Sequence, residues 1–121
     1  MRDDETTIRD LKARMADFVA RRQWNKYHRP KNLAMSLAVE AGELMEHFQW
    51  LDHDEADALL ADPAKKERIA EEMADVLAFL LSLANAADID LAAHFEAKMA
   101  KNETKYPPDA VLGHYERPER E

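Results

Sequence analysis

Apolar residues recur every three to four positions along most of this 121-residue chain, and very little interrupts them. Only two glycines and five prolines are present, whereas alanine, leucine, methionine, glutamate and lysine, which favour helices, dominate. No segment alternates polar and apolar residues as a half-buried strand would. The spacing therefore predicts an all-α protein, a four-helix-bundle-like fold built from amphipathic helices.

Capping residues and prolines set the expected limits of each helix. The predicted helices run from Thr6 or Thr7 to about Gln23, from Asn32 to Trp50, from Asp54 to Leu60, from Pro63 (capped by Asp62) to Ala87, and from Asp90 to just before Pro107. They form a single domain over residues 1–108. Residues 109–121 lack periodicity, and we expect an extended or disordered tail.

The second and fourth helices carry apolar residues around more than half of their circumference. A small bundle buries only one side of such a helix, so we expect a homo-oligomer, a dimer or higher.

Charge and cysteine content narrow the classes of function. The net charge of −8 disfavours binding to a nucleic acid polymer, although a small polyphosphate can bind if metal ions reverse the local charge. The absence of cysteine excludes disulfides and thiolate sites and is compatible with a reducing compartment. The charged N-terminus is unlike a signal peptide, and no apolar run reaches the roughly 18 residues of a membrane span. We expect a cytoplasmic protein without a membrane partner.

Two pairs of acidic residues occupy unexpected places on the second and fourth helices. Glu40 and Glu43 lie one turn apart at the edge of an apolar face. Glu72 and Asp75 repeat that spacing, and Glu72 falls among apolar residues, whereas Glu71 lies on the polar side. Like charges three residues apart destabilise a helix, and buried carboxylates are costly unless something neutralises them.

Divalent cations shared between the two pairs would neutralise them. Antiparallel packing of the two helices would bring the pairs face to face, and four carboxylates can hold more than one ion. Oxygen ligands, without cysteine and without histidine at a zinc spacing, favour Mg²⁺ or Mn²⁺. Salt bridges to neighbouring helices are the alternative explanation. A di-iron bundle needs Glu-x-x-His on two helices, which this chain lacks.

Aromatic side chains flank the acidic pairs. Trp24, Tyr27 and His28 precede the second helix, Trp50 closes it, and Phe79 lies on the fourth. Each alone is typical of ordinary packing, but together they suit a slot that stacks on a nucleobase.

Four residues of the last helix share one face, at i, i+4, i+7 and i+8: Lys98, Asn102, Lys105 and Tyr106. Lysines on a helix are usually solvated. Beside a triphosphate, however, this stripe would supply positive charge and hydrogen-bond donors.

These residues together are similar to a known family. The chain resembles the all-α nucleoside triphosphate pyrophosphohydrolases of the MazG-like superfamily, and among them the small dCTP pyrophosphatase branch. The family pattern, E-x-x-E followed by E-x-x-D, reads Glu40-Ala-Gly-Glu43 and Glu72-Met-Ala-Asp75. The branch also resembles WNKYHRPKNL (24–33), the FQW that ends at Trp50, and KMAKNETKYP (98–107). The similarity covers about residues 8–108.

The resemblance assigns roles to particular positions. The magnesium ligands would be Glu40, Glu43, Glu72 and Asp75. The residues around the base and sugar would be Trp24, His28, Trp50 and Phe79, although a tyrosine is common in the branch at the position of Phe79. The residues facing the phosphates, from the same or a neighbouring subunit, would be Lys98, Asn102, Lys105 and Tyr106.

The resemblance also implies a MazG-type fold, a homotetramer and a reaction. Water would attack the α-phosphorus of a (deoxy)nucleotide, such as dCTP or a modified dNTP, to give the monophosphate and pyrophosphate and so cleanse the nucleotide pool. Glu43, with Glu40, would be catalytic by activating that water. The alternatives are a non-catalytic nucleotide-binding regulatory module, a structural helical oligomer, and a phosphoribosyl-ATP pyrophosphohydrolase, which leaves the aromatic residues unexplained. The residues alone do not assign the base, the sugar or the number of metal ions.

Overall fold

Every regular element of the described chain is a helix. The computed structural model describes residues 1–114, and its helices are α1 (Ile8–Arg21), α2 (Pro30–Glu46), α3 (His53–Ala61), α4 (Pro63–Ala87), α5 (Leu91–Lys105) and α6 (Pro108–Val111). The predicted all-α class is confirmed. Within these residues, no single helix is both long and apolar enough to cross a membrane; α4 and α5 meet those criteria only if taken together as one broken segment.

The chain divides into two compact units, Met1–Asp88 and Ile89–Glu121. The first contains α1 to α4, and the second contains α5 and α6. That residues 1–108 act as one domain stays a prediction.

Local hydrogen bonds explain where α1, α3 and α4 begin. Thr7 caps α1 as predicted: its hydroxyl accepts from the Asp10 N–H at 3.1 Å, and its own N–H donates to the Asp10 carboxylate at 2.9 Å. Hydrogen bonds from the Thr7 backbone N–H and from the Thr7 side chain to the Asp10 carboxylate lower the pKa of Asp10. Asp52 and Glu55 form the same reciprocal pair at α3. The Asp62 carboxylate accepts from the first turn of α4, as the sequence predicts.

The second helix differs from its predicted limits of 32 and 50. It begins at Pro30, whose fixed φ and missing N–H suit the first position of a helix. It ends at Glu46, because the next N–H groups, of His47 and Phe48, donate to carbonyls three residues back at 3.3 and 2.9 Å. Such bonds tighten the backbone into turns. Trp50 therefore lies beyond the helix and not on one of its faces.

The predicted tail begins with a short helix and not with extended chain. Pro107 is extended at the N-cap position, and Pro108 starts α6, which ends at Val111. The expectation of an extended or disordered tail is wrong for these residues. Residues 115–121 of the predicted tail lie outside the described residues.

Helix α4 organises the first unit, where it packs against α1 and α3 and most extensively against α2. The buried apolar side chains are Val19, Leu33, Ile69, Leu81 and Ala84. They come from α1, α2 and α4. The contact between α2 and α4 also sets the separation of the two acidic pairs, which lie on these helices.

The C-terminus of α4 offers a test of its capping. Asp88 has a left-handed backbone (φ 52°, ψ 53°) and places a carboxylate at the negative end of the helix dipole. Asp88→Gly should raise the free energy of unfolding by about 0.5–1 kcal/mol, because glycine adopts this geometry freely and carries no charge. Chemical denaturation measures the change.

Asp57→Gly, on an exposed position inside α3, is the matched control. It should lower the free energy of unfolding by about 1 kcal/mol, because glycine is a poor helix former. A destabilised Asp88→Gly protein would contradict the capping explanation.

Candidate metal and nucleotide site

The packing of α2 on α4 brings three carboxylates together. One oxygen from each of Glu40, Glu43 and Glu72 lies within 4.8 Å of the others. Glu40 and Glu72 are half-buried, and Glu43 is exposed. Within residues 1–114, the Oε2 atoms of Glu40 and Glu72 are buried and make no hydrogen bond. Buried carboxylate oxygens without partners fit the ligand preference of a divalent cation such as Mg²⁺.

The electrostatics of the cluster centre on Glu40. Its burial raises its pKa, and a hydrogen bond with Glu43 raises it further, as do the negative charges of Glu43, Asp75 and Glu72. Protonation of Glu40 is therefore one way in which the protein relieves the crowding of charge when no cation is bound.

Asp75, the fourth predicted ligand, acts on the cluster at longer range. Its charge raises the pKa of Glu40. Among the described residues, however, the group whose oxygens meet within 4.8 Å contains Glu40, Glu43 and Glu72 and not Asp75. The aspartate side chain is one methylene shorter than glutamate and is exposed. The structure thus assembles three of the four predicted ligands.

His47 adds a contact that the sequence did not assign. Its Nε2 lies 3.6 Å from Oε1 of Glu72, and both side chains are largely shielded from solvent. The two form an ion pair when the imidazole is protonated. Because His47 follows Glu43 by four residues, helical spacing places it on the acidic side of α2, although its partner on α4 depends on packing.

A pocket of about 360 Å³ opens beside Glu40, within the roughly 300–1,000 Å³ usual for small-molecule sites. Its lining comes from α2 and α4: Asn32, Met35, Ser36, Val39, Glu40 and Phe79. Asn32, Ser36 and Glu40 are spaced by four residues and so share one helix face. Asn32 and Ser36 were not predicted as site residues from the sequence, although their spacing from Glu40 places them on its face of α2.

Three of the predicted aromatic residues form a stack between the α1–α2 connector and α4. The His28 ring stacks on Trp24 at a centroid distance of 6.5 Å and an angle of 17°. Its other neighbour is Phe79, also at 6.5 Å, with an angle of 24°. Trp50 is not part of the stack and is 86% exposed, because the helix ends before it. Tyr27 is exposed as well.

The four predicted phosphate-facing residues lie between the middle of α5 and its C-cap, in the second unit. Lys98 and Lys105 are exposed, and Asn102 and Tyr106 are half-buried. Tyr106 is the C-cap, and its N–H donates to the Asn102 carbonyl at 2.7 Å. The Lys105 ammonium lies 5.4 Å from the Tyr106 ring centroid. Their role toward phosphates stays a prediction.

The raised pKa of Glu40 predicts a stability difference in the metal-free protein. A raised folded-state pKa means that Glu40 stabilises the fold in acid, and that this contribution is lost as the pH rises through the folded-state value. Glu40→Gln should therefore raise the melting temperature at neutral pH in EDTA, and the gain should vanish in acid. Thermal unfolding across the pH range measures it.

Glu71→Gln, an exposed neighbour of Glu72 on α4, is the control, and we expect little change in its melting temperature at any pH. A lower melting temperature for Glu40→Gln at neutral pH would contradict the interpretation that neighbouring negative charges destabilise the ionised form of Glu40.

Comparison with known proteins identifies the family. Residues 35–113 match the MazG-like family. Over 103 residues the chain is 36% identical to dCTP pyrophosphatase 1 of Bos taurus and 37% identical to that of Homo sapiens, and each alignment covers 85% of this chain. The chain spans 61% of the length of these curated relatives. A crystal structure of a pyrophosphatase from Archaeoglobus fulgidus DSM 4304 is 40% identical with a TM-score of 0.78, covering 88% of this chain and 98% of that one. The chain belongs to the MazG-like family.

Proposed function

We propose that the chain is a Mg²⁺-dependent nucleoside triphosphate pyrophosphohydrolase. It hydrolyses a deoxynucleotide, such as dCTP or a modified dNTP, to the monophosphate and pyrophosphate. The main support for this proposal is that three carboxylates lie within 4.8 Å of one another, beside a pocket of about 360 Å³ that Glu40 lines. The relatives named dCTP pyrophosphatase 1 and the structure titled as a pyrophosphatase support the same chemistry.

The acidic cluster would hold the metal. Glu40 and Glu72 each offer a buried oxygen without a hydrogen-bond partner, and Glu43 offers a more exposed one. Asp75 would complete the set of ligands. When bound, Mg²⁺ or Mn²⁺ would neutralise these carboxylates, balance the charge of the phosphates and lower the pKa of a bound water.

Glu43 is the group best placed to accept a proton. It is the exposed member of the cluster, so its carboxylate reaches water more readily than that of Glu40 or Glu72. In the proposed step, water loses a proton to Glu43 as its oxygen bonds to the α-phosphorus. The bond from that phosphorus to the α,β-bridging oxygen breaks, and its electron pair leaves with pyrophosphate. Glu40, whose carboxylate oxygen lies within 4.8 Å of one of Glu43, would assist by orienting it.

Polar and aromatic side chains would position the substrate. Asn32 and Ser36 line the pocket beside Glu40 and can donate hydrogen bonds to the sugar or the phosphates. The proposal keeps the base and sugar contacts predicted from the resemblance, Trp24, His28, Trp50 and Phe79. It also keeps the residues predicted to face the phosphates, Lys98, Asn102, Lys105 and Tyr106. A cytoplasmic location is part of the same proposal.

We further propose that the chain assembles as a homo-oligomer through α2. Met35 and Val39 are about 60% exposed, and Gly42 continues the same helix face. Glycine inside a helix costs about 1 kcal/mol relative to alanine. A Cβ at Gly42 would meet nothing within 4 Å, so packing inside the chain does not require this glycine. An apolar face with a glycine suits the close approach of a helix from a second copy.

Glu43→Gln tests the proposed reaction. The substitution keeps the size of the side chain but removes the proton acceptor, so pyrophosphate release from dCTP with Mg²⁺ should fall by about 100-fold or more. Steady-state assays of pyrophosphate across a panel of nucleotides measure the loss. Mg²⁺ with dCTP should also raise the melting temperature of the unsubstituted protein.

Glu46→Gln, an exposed glutamate at the end of α2 outside the cluster, is the matched control and should retain activity. Full turnover by Glu43→Gln would remove Glu43 from the mechanism. A protein that releases no pyrophosphate from any nucleotide in the panel would overturn the proposed function.

Val39→Lys tests the proposed oligomer. A lysine in the apolar face of α2 would place a charge in the interface, so light scattering should show a smaller particle than for the unsubstituted protein. Glu71→Lys, on the polar side of α4, should leave the mass unchanged. A monomeric parent protein, or an unchanged mass for Val39→Lys, would contradict the interface.

A further inference from the structure

His47 lies beside the acidic cluster but has no part in the reaction proposed above. It is the C-cap of α2, where its backbone N–H donates to the Leu44 carbonyl at 3.3 Å. It follows Glu40 by seven residues and Glu43 by four, so helical spacing places it on their side of the helix. Neither the resemblance nor the comparisons assign a role to this histidine.

The imidazole of His47 faces one oxygen of Glu72. Its Nε2 lies 3.6 Å from Glu72 Oε1, and the two side chains are 29% and 23% exposed. The second oxygen, Oε2, is buried and has no hydrogen-bond partner. Among residues 1–114, Glu72 is the carboxylate of the cluster that has a basic side chain this close. One oxygen of Glu72 is therefore directed at a nitrogen, and the other is available to a ligand.

The direction of the proton follows from the chemistry of the two groups. A carboxylate oxygen only accepts hydrogen bonds, so a ring nitrogen with a hydrogen attracts it and a ring nitrogen with a lone pair repels it. The Nε2–H form of the imidazole is therefore the one that suits this contact. At 3.6 Å the contact is longer than a hydrogen bond, and it restrains Glu72 by electrostatic attraction where little water screens it.

The two side chains differ in how freely they move. His47 sits where the backbone is tightened by the turn bonds of its own N–H and that of Phe48, and a ring rotates about few bonds. Glu72 has a longer and more flexible side chain, which loses conformational entropy when it is fixed in one orientation. A stiff neighbour that attracts one oxygen reduces the number of orientations that Glu72 samples before a cation binds.

His47 acts on the cluster through Glu72 and not as a further ligand. Among the described residues, the group whose ligand atoms meet within 4.8 Å contains Glu40, Glu43 and Glu72 and not His47. Carboxylates that bind metals are commonly held in turn by a neighbouring polar group, and loss of that group typically lowers metal affinity by about 10–100-fold. The place of His47 relative to Glu72 matches this arrangement.

We propose that His47 is a positioning residue that orients Glu72 for the divalent cation. Its Nε2–H attracts Oε1, and Oε2 stays available to the cation. The inference rests on the proposed metal-dependent function and adds a residue to it. The role belongs to the N–H group and not to a charge on the ring, so an uncharged donor on a side chain of similar length replaces it.

Binding of Mn²⁺ without nucleotide tests the proposal, with free Mn²⁺ measured by electron paramagnetic resonance at one fixed pH. His47→Leu should raise the Kd by about tenfold or more, because Glu72 loses its polar neighbour. His47→Gln should stay close to the unsubstituted protein, because its side-chain amide also ends in an N–H donor. His53→Leu, at an exposed histidine in the first turn of α3, is the control and should leave the Kd unchanged.

Two results of this titration would overturn the proposal. One is an unchanged Kd for His47→Leu, which would show that Glu72 does not depend on the imidazole. The other is an equal loss in His47→Gln and His47→Leu, which would show that the ring or its charge matters and the N–H donor does not.

Steady-state kinetics distinguish positioning from a direct part in the chemistry. In His47→Leu, the Mg²⁺ concentration that gives half-maximal pyrophosphate release should rise by about tenfold or more, whereas kcat at saturating Mg²⁺ should change little. A lower kcat with an unchanged Mg²⁺ requirement would contradict the proposal, because it would place His47 at the substrate or at the transferred proton.

The two measurements also separate this inference from the proposed function. If nucleotides are hydrolysed and Mn²⁺ binding is the same in His47→Leu, the positioning role is wrong and the reaction stands. If His47→Leu weakens Mn²⁺ binding, His47→Gln retains it and no nucleotide is hydrolysed, the positioning role stands and the reaction is wrong. An unsubstituted protein that binds no Mn²⁺ would overturn both.

Discussion

Three carboxylates within 4.8 Å repel one another, and the partial burial of Glu40 and Glu72 removes much of the water that would screen them. The apolar contacts between α2 and α4 must offset this cost for the two helices to pack as they do. A raised pKa at Glu40 is the response of the metal-free protein to the same crowding. A divalent cation would attract all three carboxylates and so offset their mutual repulsion. The same cluster of charge would therefore stabilise the packing of α2 on α4 and supply the proposed metal site.

The buried apolar side chains support the contact between α2 and α4 from one face of α2. The buried ones lie on α1, α2 and α4, and the contacts of α4 with its three neighbours converge on them. The opposite face of α2 presents Met35, Val39 and a glycine to the outside. An apolar surface of this kind is unusual for a monomer, and burial against a second copy would add to the stability of the helix that holds two of the three acids.

Unpaired buried polar atoms mark two places in the described chain. Glu40 Oε2 and Glu72 Oε2 mark the acidic cluster, and His28 Nδ1 and Ser82 Oγ mark a cavity of about 170 Å³ between α1, the α1–α2 connector and α4. Folded proteins leave few such atoms, because each one forfeits its hydrogen bonds to water. The unpaired atoms of the acidic cluster belong to carboxylates, and those of the cavity belong to a histidine and a serine. His28 lines the cavity, Phe79 lines the pocket beside Glu40, and their rings stack on each other.

Helical spacing and capping act within a few residues, so the sequence alone determined the all-α class and the starts of α1 and α4. Helical spacing also determined that Glu72, and not Glu71, faces the acidic site. The same spacing could have found Asn32 and Ser36. Only the tertiary structure decided that Asp75 stays outside the closest group and that Glu72 meets His47. It also excluded Trp50 from the aromatic stack and opened a cavity beside Ser82. These outcomes depend on side-chain lengths and on the packing distances between helices. The periodicity of residues along one helix gives no information about those distances.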